Sequence, residues 1–121
     1  MRNFEVIFYK KDNGEEPARE FLLSLDDNMQ AKIFRIISLL EEKGIELRKP
    51  FSEHLEDGIF ELRVKSDSGI SRILYFFFYG KRVILTNGFI KKTQKTPRRE
   101  IEKAKRYRAN YLNRRHNKNG N

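Results

Sequence analysis

Glu61, Arg63 and Arg72 are the residues of this chain best suited to act on a phosphodiester. Arginine forks match the nonbridging oxygens of a phosphate. A carboxylate beside them offers a base or a local counter-charge. Their spacing ties them to one surface. Phe60, Leu62 and Val64 alternate with Glu61, Arg63 and Lys65, which is the period of a strand. Ser66-Asp67-Ser68-Gly69 then signals a turn. If Asp67-Ser68 is the two-residue loop, Arg63 lies directly opposite Arg72. If Ser68-Gly69 is the loop, Arg63 faces Leu74 and Arg72 faces Lys65. Either register puts both arginines on one face, whereas a three-residue loop separates them. Like charges on paired strands repel, by about 0.2–1 kcal/mol for a cross-strand term. Such an arrangement suits an anion placed between them, or Glu61 as counter-charge. The plainer alternative is a solvated outer face with ordinary salt bridges. Arg72 argues against it, because it precedes the apolar run Ile73-Leu74-Tyr75-Phe76-Phe77-Phe78-Tyr79.

A second group lies in Lys91-Lys92-Thr93-Gln94-Lys95-Thr96-Pro97. Three lysines, with Thr93, Gln94 and Thr96 as added hydrogen-bond donors, suit a nucleic-acid backbone. As a bare linker, Thr96-Pro97 would simply start a helix. The last 31 residues hold 12 of the 26 lysines and arginines and only two acids, Glu100 and Glu102. The first ninety residues carry fourteen basic and fifteen acidic side chains, so the formal +9 belongs to the C-terminal quarter. Charge gathered on one element attracts a polyanion better than the same charge dispersed. Arg98 and Arg99 open this basic segment and join Lys65, Lys91 and Lys95 as expected nucleic-acid contacts. His54 is a lone candidate acid or base, against the simpler reading of an exposed or structural histidine. Two distant histidines without cysteine form no metal site, and neither a metal nor another cofactor is expected. No phosphate-binding glycine loop or nucleophile motif is present.

The elements that must carry these residues follow from periodicity. Phe4 to Tyr9 alternates as a strand. Pro17 opens a helix bearing Ala18, Phe21, Leu22 and Leu25, and Asp26 or Asp27 caps a second. Met29, Ile33, Ile36, Ile37 and Leu40 form that helix's apolar stripe, and Gly44 stops it. Residues 45–52 read as a connection. Strands follow over 58–65, over 70–79, which is apolar enough to be central, and over 82–90. After Pro97 a basic helix carries Ile101, Ala104 and Tyr111. The expected architecture is α+β: two N-terminal helices, an antiparallel pair, packed on a mainly antiparallel sheet of about four strands, with a basic C-terminal helix. The length of 121 residues fits one domain, 1–121, with 116–121 as a frayed tail. Without cysteine, disulfides and thiolate sites are excluded. No signal core or membrane-spanning run appears, so a cytoplasmic protein without membrane contact is expected.

The segments His54-Leu55-Glu56-Asp57-Gly58-Ile59-Phe60-Glu61-Leu62-Arg63, Arg72-Ile73-Leu74-Tyr75, and Gly88-Phe89-Ile90 through Pro97, with Glu100-Ile101 and Ala104, resemble the phage-derived Gp49-like, HigB-type toxins. These belong to the RelE/ParE superfamily of type II toxin–antitoxin systems. The resemblance covers nearly the whole chain, and the segment ending in Lys-Lys-Thr-Gln-Lys-Thr-Pro is its most specific part. It implies a RelE-like fold and a ribosome-dependent messenger-RNA endonuclease. Implied partners are the ribosome, messenger RNA and a cognate antitoxin of helix-turn-helix type. On that reading Arg63 and Arg72 stabilise the phosphorane, and Glu61 or Lys92 acts as base, with His54 in reserve. Two alternatives keep the same charge pattern. One is a gyrase inhibitor like the ParE branch, and the other is a non-catalytic basic module that binds nucleic acid with its antitoxin.

Overall fold

The computed structural model describes residues 3–67, 69–79, 81–91 and 95–119, with side chains to His116. The chain runs β1 (Glu5–Phe8), α1 (Pro17–Leu23), α2 (Asp27–Lys43), a single 3-10 turn (Gly44–Glu46), β2 (Ser52–Glu56), β3 (Ile59–Ser66), β4 (Gly69–Phe78), β5 (Arg82–Lys91) and α3 (Arg98–Asn119). The class is α+β, as expected. The five strands form one sheet in the order β1-β5-β4-β3-β2. The β2–β3–β4–β5 pairs are antiparallel, and β1 joins β5 in parallel.

Local chemistry sets the element ends. Asp26 is the residue that caps α2, accepting from the Met29 N–H at 2.8 Å. Gly44 ends the helix at φ +54°, donating its N–H to the Leu40 carbonyl. A Cβ there would also stand 2.1 Å from the Phe4 ring, so both backbone and packing require glycine.

The sheet is the middle of three layers. On one face the stripe of α2 packs with Leu62, Val64, Ile73, Tyr75, Val83 and Leu85. On the other, Ala104 and Tyr111 of α3 close over Ile59, Leu74, Phe76, Phe78 and Ile84. Cover on both sides explains why β4 is almost continuously apolar and lies at the sheet centre. A bulge at Thr86 shifts the β4–β5 register: Leu85 pairs with Tyr75, and Asn87 with Leu74. The extra residue returns Asn87 to the α3 face. It also turns Gly88 toward α1, where a Cβ would meet Phe21 at 2.4 Å.

Two expectations change, the strand count and the placement of the last helix. Five strands stand where about four were expected, because β2 forms over Ser52–Glu56, between the expected connection and the strand expected from 58. The sheet is mainly antiparallel, as expected, and β1 adds one parallel pair. The basic C-terminal helix packs on the sheet face opposite α2, through Ala104 and Tyr111. α3 runs to Asn119.

Candidate nucleic-acid site

The turn between β3 and β4 takes the first of the two open registers. Arg63 pairs directly with Arg72, and Ser66 with Gly69. Both arginines therefore share the α3 face of the sheet, but their exposures differ. The Arg63 side chain is 22% exposed, whereas those of Arg72 and Glu61 are fully buried. The expectation that both arginines contact the phosphate is corrected for Arg72. It projects from the most central strand beneath the start of α3, where no phosphate reaches it.

Glu61 resolves the repulsion between the two guanidiniums. Its Oε2 accepts from Arg63 Nε at 2.7 Å, and its Oε1 from an Arg72 terminal nitrogen at 3.1 Å. The Thr96 hydroxyl accepts from that same Arg72 nitrogen at 2.9 Å and donates to Glu61 Oε1. Both carboxylate oxygens are engaged inside the protein, so Glu61 is out of reach of a substrate hydroxyl and does not fit the role of base. Thr96, expected as a donor toward nucleic acid, points inward instead. The buried charges are tolerable because each is paired and hydrogen-bonded. The tie also has a positional result. Thr96 precedes Pro97, whose carbonyl accepts from the Glu100 N–H at 3.0 Å in the first turn of α3. Glu61 and Arg72 thus pin Lys95 and the entry to α3 beside Arg63.

On its outer side Arg63 reaches Glu53 of β2 at 3.1 Å, and Glu53 also binds Lys49 at 2.9 Å. The Lys49 hydrogen bond, aided by the Arg63 charge, holds the Glu53 carboxyl below its ordinary range. Neither Glu53 nor Lys49 was among the site residues expected from the sequence. Between β2 and the start of α3 lies a cleft of about 380 Å³ that Glu53, His54, Arg63, Lys95, Thr96 and Arg98 help line. Arg63 is anchored from within and open to this cleft. That combination of fixed geometry and solvent access suits an oxyanion.

The remaining expected residues fall into three groups. Lys95 is exposed and lines the cleft, and Arg99 is exposed in the first turn of α3. Lys65 and Lys91 flank Ile70 across adjacent strands at the hairpin end, one exposed and the other half-buried. His54 is exposed on the edge strand, but its ring packs against Phe60, on the strand face away from Arg63, and its Nε2 accepts from the Gly58 N–H at 3.2 Å. Lys92, with Thr93 and Gln94, lies outside the described residues. No group of three or more potential metal ligands occurs among the described residues.

Much of the α3 charge is occupied. Arg98 and Lys105 both pair with Glu56, and Arg108 holds Asp57 at 3.1 Å, so the helix grips the β2–β3 turn. Arg98 is therefore tied to protein, although its side chain stays 58% exposed. Hydrogen bonds from Arg98 and then Lys105 pull the Glu56 carboxyl down to about 2 from 4.5. A depressed carboxylate stabilises the fold above its unfolded value and loses that contribution as pH falls through the folded value. The stability difference between the parent and Glu56→Gln should therefore stay constant above pH 4.5 and shrink between pH 4.5 and about 2. Urea titrations followed by circular dichroism at stepped pH measure this.

The family model for phage-derived Gp49-like proteins matches residues 20–109, which includes the cleft, the buried tie and most of α3. No curated protein matches the chain. No helix among the described residues is long and apolar enough to cross a membrane.

Proposed function

The chain belongs to the phage-derived Gp49-like family, a family of RelE/HigB-like toxins, and from that premise we propose that it is the toxin of a type II toxin–antitoxin pair. It cleaves messenger RNA on the ribosome, from a RelE-like fold, in the cytoplasm. The observation that carries the reading is Arg63: a guanidinium anchored by a buried carboxylate and presented to a cleft with Lys95.

The reaction needs no metal. A 2′-hydroxyl loses its proton to a base and attacks the adjacent phosphorus. The bond to the 5′-oxygen breaks, and that oxygen takes a proton as it leaves. Charge gathers on the nonbridging oxygens of the phosphorane, where Arg63 and Lys95 stabilise it. Lys65, Lys91 and Arg99 hold flanking phosphates, and Arg98 adds charge at the cleft wall. Arg72 and Glu61 are positioning residues, which fix Arg63 and the Lys95–Pro97 segment. Lys92 is the proposed base. His54, on the neighbouring edge, is the reserve acid or base. Ribosomal RNA aligns the strand, so a sparse site suffices.

The test is a translation system programmed with a defined message, whose new ends are mapped after adding the protein. Cuts in phase with codons are expected. Intact message with accumulating cleaved DNA–gyrase complexes would establish the gyrase alternative, and binding to ribosomes without cutting would establish the non-catalytic one.

A further inference from the structure

Arg63 lies between two carboxylates on one face of the sheet. Glu53 of β2 pairs directly with Glu61 of β3, so the two side chains stand side by side and repel each other. Arg63 answers them with different nitrogens. Its Nε donates to Glu61 at 2.7 Å, and a terminal nitrogen meets Glu53 at 3.1 Å. The two partners are not equivalent. Glu61 is fully buried and is also held by Arg72 and Thr96. Glu53 is 29% exposed, and its other oxygen is held by the exposed Lys49 at 2.9 Å. Of the two, it is Glu53 that lines the cleft, beside Lys95 and Arg98.

Carboxylate and phosphate compete for the same guanidinium edge. Glu53 stays charged at neutral pH, because the Lys49 hydrogen bond and then the Arg63 charge hold its carboxyl below the ordinary range. A phosphodiester entering the cleft therefore meets an Arg63 nitrogen already taken and a negative charge beside it. Glu53 also lines a second cavity of about 400 Å³, with Arg48, Lys49 and Ser52, which Arg63 does not line. The carboxylate thus has room to leave Arg63 while keeping Lys49. We propose that Glu53 is a gate on the cleft, which holds the place of the scissile phosphate on Arg63 until an RNA phosphodiester displaces it toward the second cavity. The substrate class rests on the toxin reading above. Such a gate weakens binding of any lone phosphate and favours a strand delivered at high effective concentration, as a ribosome delivers message. The competing role for Glu53 is base to the 2′-hydroxyl. A cation on each oxygen argues against it.

The probe is 3′-uridine monophosphate, titrated into the full isotope-labelled chain. Binding is followed by nuclear magnetic resonance at the Lys95 amide and, where the side chain is present, at the Arg63 Nε–H. Glu53→Gln keeps the size of the side chain and removes its charge. The position is partly exposed, so circular dichroism should show the variant folded. It is expected to bind the nucleotide about fivefold more tightly than the parent, the upper end for a solvent-accessible ion pair. Combined with Arg63→Ala, the same substitution should bring no gain over Arg63→Ala alone. In cleavage of ribosome-bound message the gain should appear as a KM lowered by the same factor. Equal or weaker nucleotide binding by Glu53→Gln would overturn the proposal. So would a gain that persists without Arg63, since a general effect of charge needs no gate. A kcat lowered tenfold or more would also overturn it, by making Glu53 a participant in proton transfer. The titration needs no ribosome: a protein that cuts no message leaves a positive titration standing, and a failed titration leaves cleavage standing.

Discussion

Arg72→Ala should lower the free energy of unfolding by about 3–5 kcal/mol, the usual cost of removing one partner from a buried ion pair. The side chain is fully buried, and so is the Glu61 carboxylate it neutralises. Truncation leaves that carboxylate with one cation, Arg63, which is itself partly solvated. It also removes a donor from Thr96 and loosens the entry to α3. Since folded proteins typically have only about 5–15 kcal/mol in hand, the variant should be marginal at growth temperature. Growth arrest should vanish with it, because folded protein is lost. Glu61→Leu combined with Arg72→Met should recover much of the deficit, since removing both charges leaves no buried charge unpaired. Urea unfolding followed by circular dichroism decides the matter. A loss below about 1 kcal/mol, the range of exposed pairs, would mean that the tie does not hold the fold.

Arg63→Ala should behave in the opposite way. Its side chain reaches solvent and its contacts to Glu53 and Glu61 lie at the edge of the buried cluster, so the stability change should stay near 1 kcal/mol, after allowance for solvent screening. Glu61 keeps Arg72 and Thr96. The effect on cleavage should be large, about 10²–10³-fold, as for removal of one preorganised donor to a developing oxyanion. Arg63→Lys should restore little. A lysine keeps the charge but loses the planar fork, whose separate nitrogens reach Glu61 and Glu53. The two arginines look alike in the sequence, yet one substitution should disarm a folded protein and the other should unfold it.

That divergence marks what the sequence can convey. Strand periodicity and the Asp67-Ser68 turn were enough to put Arg63 and Arg72 on one face, because a face repeats every two residues. Burial was not legible. It depends on where α3 comes to rest, and an arginine preceding an apolar run was the only hint. The polar strand Ser52-Glu53-His54-Leu55-Glu56 escaped notice because it has no β-branched residue and no clean alternation. The Thr86 bulge left no mark beyond Gly88, whose missing side chain admits Phe21. The excess charge of the last quarter was plain, but its partners were not. Glu56 and Asp57 lie some forty to fifty positions upstream of Arg98, Lys105 and Arg108, and only the fold brings them together.

The central claim is that Arg63, anchored from within, stabilises the reacting phosphate. Single-turnover cleavage of ribosome-bound message, with parent and Arg63→Ala matched for folded protein, tests it most directly. The expected result is a rate reduced about 10²–10³-fold at unchanged ribosome binding, with the residual product still ending in a 5′-hydroxyl. Cleavage by the folded variant at the parent's rate would contradict the account.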